Sequence, residues 1–113
     1  MTNKVQEKIL EIRERNDQSI KADAGKAQLT LVPSAIIYDI ARTREYGVKK
    51  YGDAENWRAV EPYRYKNAAY RHWLEYLRDS KSIDEESGLP HLYHLVTNLA
   101  FLCELEAEHD KRR

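Results

Sequence analysis

Three prolines, Pro33, Pro62 and Pro90, each stand just ahead of a stretch whose apolar residues recur at helical spacing. Proline has a fixed φ and no N–H, so it is costly inside a helix but well placed at its start. The chain is thereby divided into helices with marked beginnings. After Pro33 the face Ile36, Ile37, Ile40, Ala41 and Arg44 runs towards Gly47. After Pro62 it is Tyr65, Ala68, Ala69, His72, Trp73 and Tyr76, and after Pro90 it is Leu92, Leu95, Val96, Leu99, Leu102 and Leu105. Val5, Ile9 and Ile12, with Asn16 as the next position, mark a fourth candidate near the N-terminus.

No segment alternates as a strand does; the nearest is the short apolar run at 28–32. The four glycines are expected at the edges of helices, as caps and turns require. The expected fold is all-α, a small bundle of three to four helices. Residues 1–24 are expected to form a charged N-terminal helix or mobile arm, and residues 25–113 the folded domain.

A chain of 113 residues has room for one core. Its 19 basic and 19 acidic residues cancel, which argues against a protein held to a nucleic-acid polymer by bulk electrostatics. Small anionic ligands need only a few placed cations and remain open. No apolar run approaches a membrane span and no secretory h-region opens the chain, so a cytoplasmic protein is expected. The single Cys103 is expected as a small core residue. Leu99, Phe101, Leu102 and Leu105 cover more than one narrow face of the last helix, which points to a homo-oligomer.

Three constellations carry chemistry. In ESGLPHLYHLVTN (86–98), His91, His94 and Asn98 are three and seven apart and form one row, with Asp84 and Glu86 just upstream. Such a row can hold a metal, donate to phosphate or read a base edge; its structural alternative is a pair of satisfied core histidines. In RHWLEYLRD (71–79), His72, Glu75 and Asp79 share a face, so that Glu75 and Asp79 form either a carboxylate pair for a divalent cation or a set of surface ion pairs with neighbouring arginines. In VKKYGDAENWRAV (48–60), expected as a loop between helices, Lys49, Lys50, Tyr51, Asn56, Trp57 and Arg58 can stack a base and neutralise phosphate. There the alternative is a capped connector with Trp57 covering the core.

In the order KAQLTLVPSAI, EYGVKKYGDAENW, YRHWLEYL, DEESGLPHLYHLVTNLAFL, the chain resembles the phage and prophage dATP/dGTP diphosphohydrolase N-terminal domain family over about residues 26–106. That family looks related to the MazG-like all-α nucleoside triphosphate pyrophosphatases. The resemblance implies a helical, oligomeric fold and divalent-metal-dependent cleavage of a purine (deoxy)nucleoside triphosphate to monophosphate and pyrophosphate. It carries Lys50, Tyr51, Gly52, Asn56, Trp57, Arg71, His72, Asp84, Glu86, Ser87, Gly88, His91, His94 and Asn98.

From these residues the expected nucleotide-binding set is Lys50, Tyr51, Asn56, Trp57, Arg71 and Asn98. The expected metal ligands are Glu86, His91 and His94, and the expected catalytic groups are Glu86, His72 and Glu75, the last on this sequence alone. MazG-like enzymes use ExxE and ExxD on successive helices, whereas this chain has His72-xx-Glu75 and His91-xx-His94. Mg²⁺ or Mn²⁺ is the expected cofactor, and the imidazoles also admit Co²⁺ or Zn²⁺. The alternatives are a phage protein that sequesters a nucleotide without cleaving it and a protein-interaction module.

Overall fold

The computed structural model describes residues 3–15 and 24–110. The chain divides into two compact units, 1–32 and 33–113. The first unit contains helix α1, Asn3–Arg15, and a short 3₁₀ turn at Leu29–Leu31. The predicted helix through Val5, Ile9 and Ile12 is therefore present, whereas Asn16, its next position, falls outside the described residues.

The second unit is built from α2 (Ala35–Tyr51), α3 (Pro62–Arg78) and α4 (His91–Asp110). Helix α4 packs against both α2 and α3. Strands are absent among the described residues apart from one isolated bridge, Ile83 to Pro90, so the protein is all-α. No described helix is long and apolar enough to cross a membrane.

Each proline acts as a start signal, with small shifts. Pro62 is the first residue of α3, Pro90 immediately precedes α4, and Pro33 is followed by Ser34 at the N-cap of α2. The end of α2 departs from expectation. Gly47 lies inside the helix, which continues to Tyr51 and ends at Gly52 in the left-handed region, φ 75°. A mid-helix glycine costs only about 1 kcal/mol. Lys49 and Lys50 in the last turn favour continuation by meeting the negative end of the helix dipole. Lys49, Lys50 and Tyr51 are thus helical, and the connector to α3 is residues 52–61.

The core is small and centred on α4. Tyr65 and Ala69 of α3 and Ala107 of α4 are its buried apolar members. Phe101 stacks on Trp57 (4.7 Å between ring centroids, 15° between planes) and packs against Tyr65 at 4.9 Å. The Tyr65 hydroxyl donates to the Trp57 carbonyl at 2.5 Å, which ties the connector to α3. Thr43 and Thr97 are buried too, and each satisfies its hydroxyl by donating to the carbonyl four residues back.

Cys103 is exposed rather than buried. Leu99, Cys103, Glu106 and Asp110 follow one another four, three and four residues apart and form the outward face of α4. The helix is apolar on several sides, so spacing alone did not show which side would turn inward. On α3, Tyr63, Tyr70, Trp73, Leu74 and Leu77 are likewise exposed, and no large side chain among the described residues is completely buried.

Candidate nucleotide and metal site

The loop from Asp79 to Pro90 folds back on itself and sets up the site. The Asp84 N–H donates to the Leu89 carbonyl at 2.8 Å, the Gly88 N–H to the Asp84 carbonyl at 2.8 Å, and the His91 N–H to the Ser82 carbonyl at 3.2 Å. Gly88 supplies the turn at φ 75°, a conformation that costs a residue with a Cβ about 1–2 kcal/mol. These bonds give the ESGLP sequence its purpose: they bring Asp84 back beside the first turn of α4. Ser87 then fixes the details. Its N–H donates to Asp84 Oδ2 at 2.9 Å, and its Oγ accepts from the Leu89 N–H at 3.1 Å and lies 2.6 Å from His94 Nε2.

Three imidazoles and one carboxylate meet here. His72 Nδ1 of α3 lies 2.8 Å from His91 Nδ1 of α4, and His94 stacks on His72 at 4.7 Å. One ligand atom each from His72, Asp84 and His91 falls within 4.8 Å of the others. His94 Nε2 is 3.8 Å from Asp84 Oδ2. Burial, then the neighbouring His94 and His91, pushes His72 down to about 4, so it is uncharged at neutral pH. Burial also lowers His94, against the pull of Asp84. For Asp84, burial acts upward, but the bonds from Ser87 and the nearby imidazoles outweigh it and hold the carboxylate low.

Beside this cluster is a cleft of about 670 Å³ between the three helices, lined by His72, Asp84, His94, Tyr51, Asn56, Asn98 and several cations. Arg44, Arg64 and Arg71 all reach it, and none of these guanidiniums forms an ion pair among the described residues. Arg44 lies over Phe101 at 5.3 Å and donates to the Ala54 carbonyl, which fixes its position. Unpaired arginines gathered in one concavity suit a polyanion.

The expected site residues separate into groups. Lys50, Tyr51, Asn56, Trp57, Arg71, Asn98, His72, His94 and Glu86 all line the cleft. Trp57 is largely engaged, stacked on Phe101 and with the Arg58 guanidinium 4.5 Å from its ring; Tyr51 is 60% exposed. Asn98 already donates to the His94 carbonyl at 2.7 Å. Glu86 is not among the imidazoles: it pairs with Lys50 and accepts from Tyr46 at 3.1 Å. Those partners, Lys50 first, hold its carboxyl below the usual range and raise the Lys50 ammonium.

His91 and Glu75 do not line the cleft. Glu75 pairs with Arg78 at 2.8 Å, and Asp79 has left the helix for an extended conformation in which it accepts from the Lys81 N–H. Glu75 therefore takes the surface-pair alternative, whereas Asp79 caps the turn that follows α3. Arg64 had no role in the sequence reading, and Arg44 only a place on a helical face. Arg44 directly precedes EYGVKKYGDAENW and Arg64 lies between quoted motifs, and neither carried a spacing that marked it.

The fold and the site together define an all-α protein with a cleft that gathers arginines, free of ion pairs among the described residues, and an imidazole–carboxylate cluster. The chain belongs to the dATP/dGTP diphosphohydrolase N-terminal family, whose model matches residues 16–112. A dATP/dGTP diphosphohydrolase of Salmonella phage PMBT28 is 40% identical over 83 residues, which are 74% of this chain and 28% of the relative. The chain thus spans little more than a quarter of that relative's length. No solved structure matches it.

Proposed function

We propose that the cleft binds a purine (deoxy)nucleoside triphosphate and that the chain cleaves it to monophosphate and pyrophosphate with a divalent cation. The observation that carries this reading is the set of three arginines, without ion pairs among the described residues, that line with His72 and Asp84 a cleft of nucleotide size. The family and the name of the phage relative support the substrate class.

Arg44, Arg64 and Arg71 neutralise phosphate charge, the dominant requirement in phosphoryl transfer. Tyr51 offers an exposed ring for the base, and the side-chain amides of Asn56 and Asn98 would read its edge. A divalent cation at the imidazole–carboxylate cluster supplies further charge neutralisation and acidifies water. Glu86 begins as a weak base because Lys50 and Tyr46 hold it ionised. Phosphate that draws Lys50 away would release Glu86 to accept a proton from the attacking water. Exposed apolar side chains on α3 support the accompanying proposal of a homo-oligomer, testable by light scattering.

Incubation with dNTPs and NTPs and Mg²⁺, Mn²⁺ or Co²⁺, with products resolved by chromatography, tests the reaction. Monophosphate plus pyrophosphate from a purine substrate is expected, with kcat/KM lowered about a hundredfold in Arg71→Ala. Tight binding without product would replace cleavage by sequestration, the reading that the Lys50–Glu86 pair favours. Neither binding nor product would remove the nucleotide assignment.

A further inference from the structure

We propose that His72, Asp84 and His91 form a binding centre for a divalent first-row transition metal, selective against Mg²⁺. The centre shares a wall with the nucleotide cleft but does not depend on nucleotide chemistry.

Its donors come from three separate segments: the middle of α3, the folded-back loop, and the first residue of α4. One donor atom from each already lies within 4.8 Å of the other two, and the two imidazole nitrogens are 2.8 Å apart. A transition-metal ion takes imidazole nitrogen at about 2.0–2.1 Å and carboxylate oxygen at about 2.0–2.2 Å, so donors around it stand roughly 3–4 Å apart.

The loop makes such a centre rigid. Asp84 is fixed by its own backbone bond to Leu89 and by the Ser87 N–H on Oδ2. His94 is not needed as a ligand: its Nε2 is engaged with Ser87, and its ring lies flat against His72, where it supports that imidazole. Glu86, committed to Lys50 and Tyr46, stands apart.

The donor set decides the metal. Mg²⁺ prefers all-oxygen, octahedral surroundings and retains its waters. Two nitrogens and one carboxylate suit Mn²⁺, Fe²⁺, Co²⁺ or Zn²⁺, and three protein ligands leave coordination positions open. His72 and Asp84 border the cleft whereas His91 does not, so an ion held by all three would stand at the cleft wall.

Chelator-stripped full chain titrated with Co²⁺, without nucleotide, tests the centre. Expected are one Co²⁺ per chain, visible absorption bands displaced by Zn²⁺ but not by a large excess of Mg²⁺, and hyperfine-shifted imidazole N–H resonances in the wild-type NMR spectrum. Asp84→Asn and His91→Gln are expected to lose the bands, and Glu86→Gln to keep them. A cobalt spectrum identical to that in buffer, absent imidazole resonances, or displacement by Mg²⁺ would overturn the proposal. Because the NMR reading uses the wild-type chain, a variant that misfolds does not obscure the result. Cobalt binding without nucleotide cleavage would leave the centre standing and remove the hydrolase, and Mg²⁺-supported cleavage without cobalt binding would do the reverse.

Discussion

Two connectors of similar length join the three helices of the second unit, and they use their residues in opposite ways. The first, residues 52–61, contains side chains that look made for a ligand. Yet Trp57 stacks on Phe101, and Arg58 reaches Glu55 and Glu108, so both mainly hold the connector to α4. The second, residues 79–90, is rich in residues that look like mere turn formers. There Gly88, Ser87 and Pro90 place Asp84 against His72 and start α4 at His91. Conspicuous side chains serve packing in one connector, and inconspicuous ones serve the site in the other.

The sharpest way to break this contrast is Phe101→Ala. It removes the aromatic seat of the first connector and is expected to destabilise the protein by about 3 kcal/mol, read by denaturant unfolding. A loss below about 1 kcal/mol would mean that the first connector is not anchored by packing.

Smaller and more discriminating is a matched pair. Gly52 and Gly88 share φ 75°, and a Cβ at either meets nothing within 4 Å. Gly52→Ala and Gly88→Ala are therefore each expected to cost about 1–2 kcal/mol through backbone strain alone. Only Gly88→Ala is expected also to weaken cobalt binding, by about tenfold, because only its loop positions Asp84. Equal effects on metal affinity would erase the difference between the two connectors.

The mildest effect is a pH dependence confined to the second region. His72 is held at about 4 in the fold, whereas an unfolded histidine protonates near about 6.5. Between those values the unfolded chain binds more protons, so this contribution to stability is complete above about pH 6.5 and is lost as pH falls towards 4. With chelator present, Tm is expected to fall between pH 7 and 5, and His72→Gln to flatten that slope. A Tm that held constant in the wild-type chain would show that His72 is not held uncharged.

The helices were legible because proline position and apolar spacing act locally. The starts of α3 and α4 follow directly from Pro62 and Pro90. The end of α2 was not legible, because one glycine penalty is small beside seventeen residues of continuing helix. Within the site, the sequence identified the cleft side chains Lys50, Arg71, His72 and His94. It weighted Glu86 above Asp84 as a companion of the histidines, since two acids two residues apart look alike until a hairpin turns one inward. Arg44 and Arg64 read as ordinary helix-surface residues; only the crossing of α2 and α3 over α4 brings them to one concavity.

The close approach of His72 Nδ1 to His91 Nδ1 has a consequence for the protons themselves. As long as both rings are uncharged, only one can carry its hydrogen on Nδ1, and the other must carry it on Nε2. In that state the two histidines hold opposite tautomers through a single shared contact. A cation that engaged both Nδ1 atoms would move one hydrogen from one side of a ring to the other, with no net proton leaving the protein.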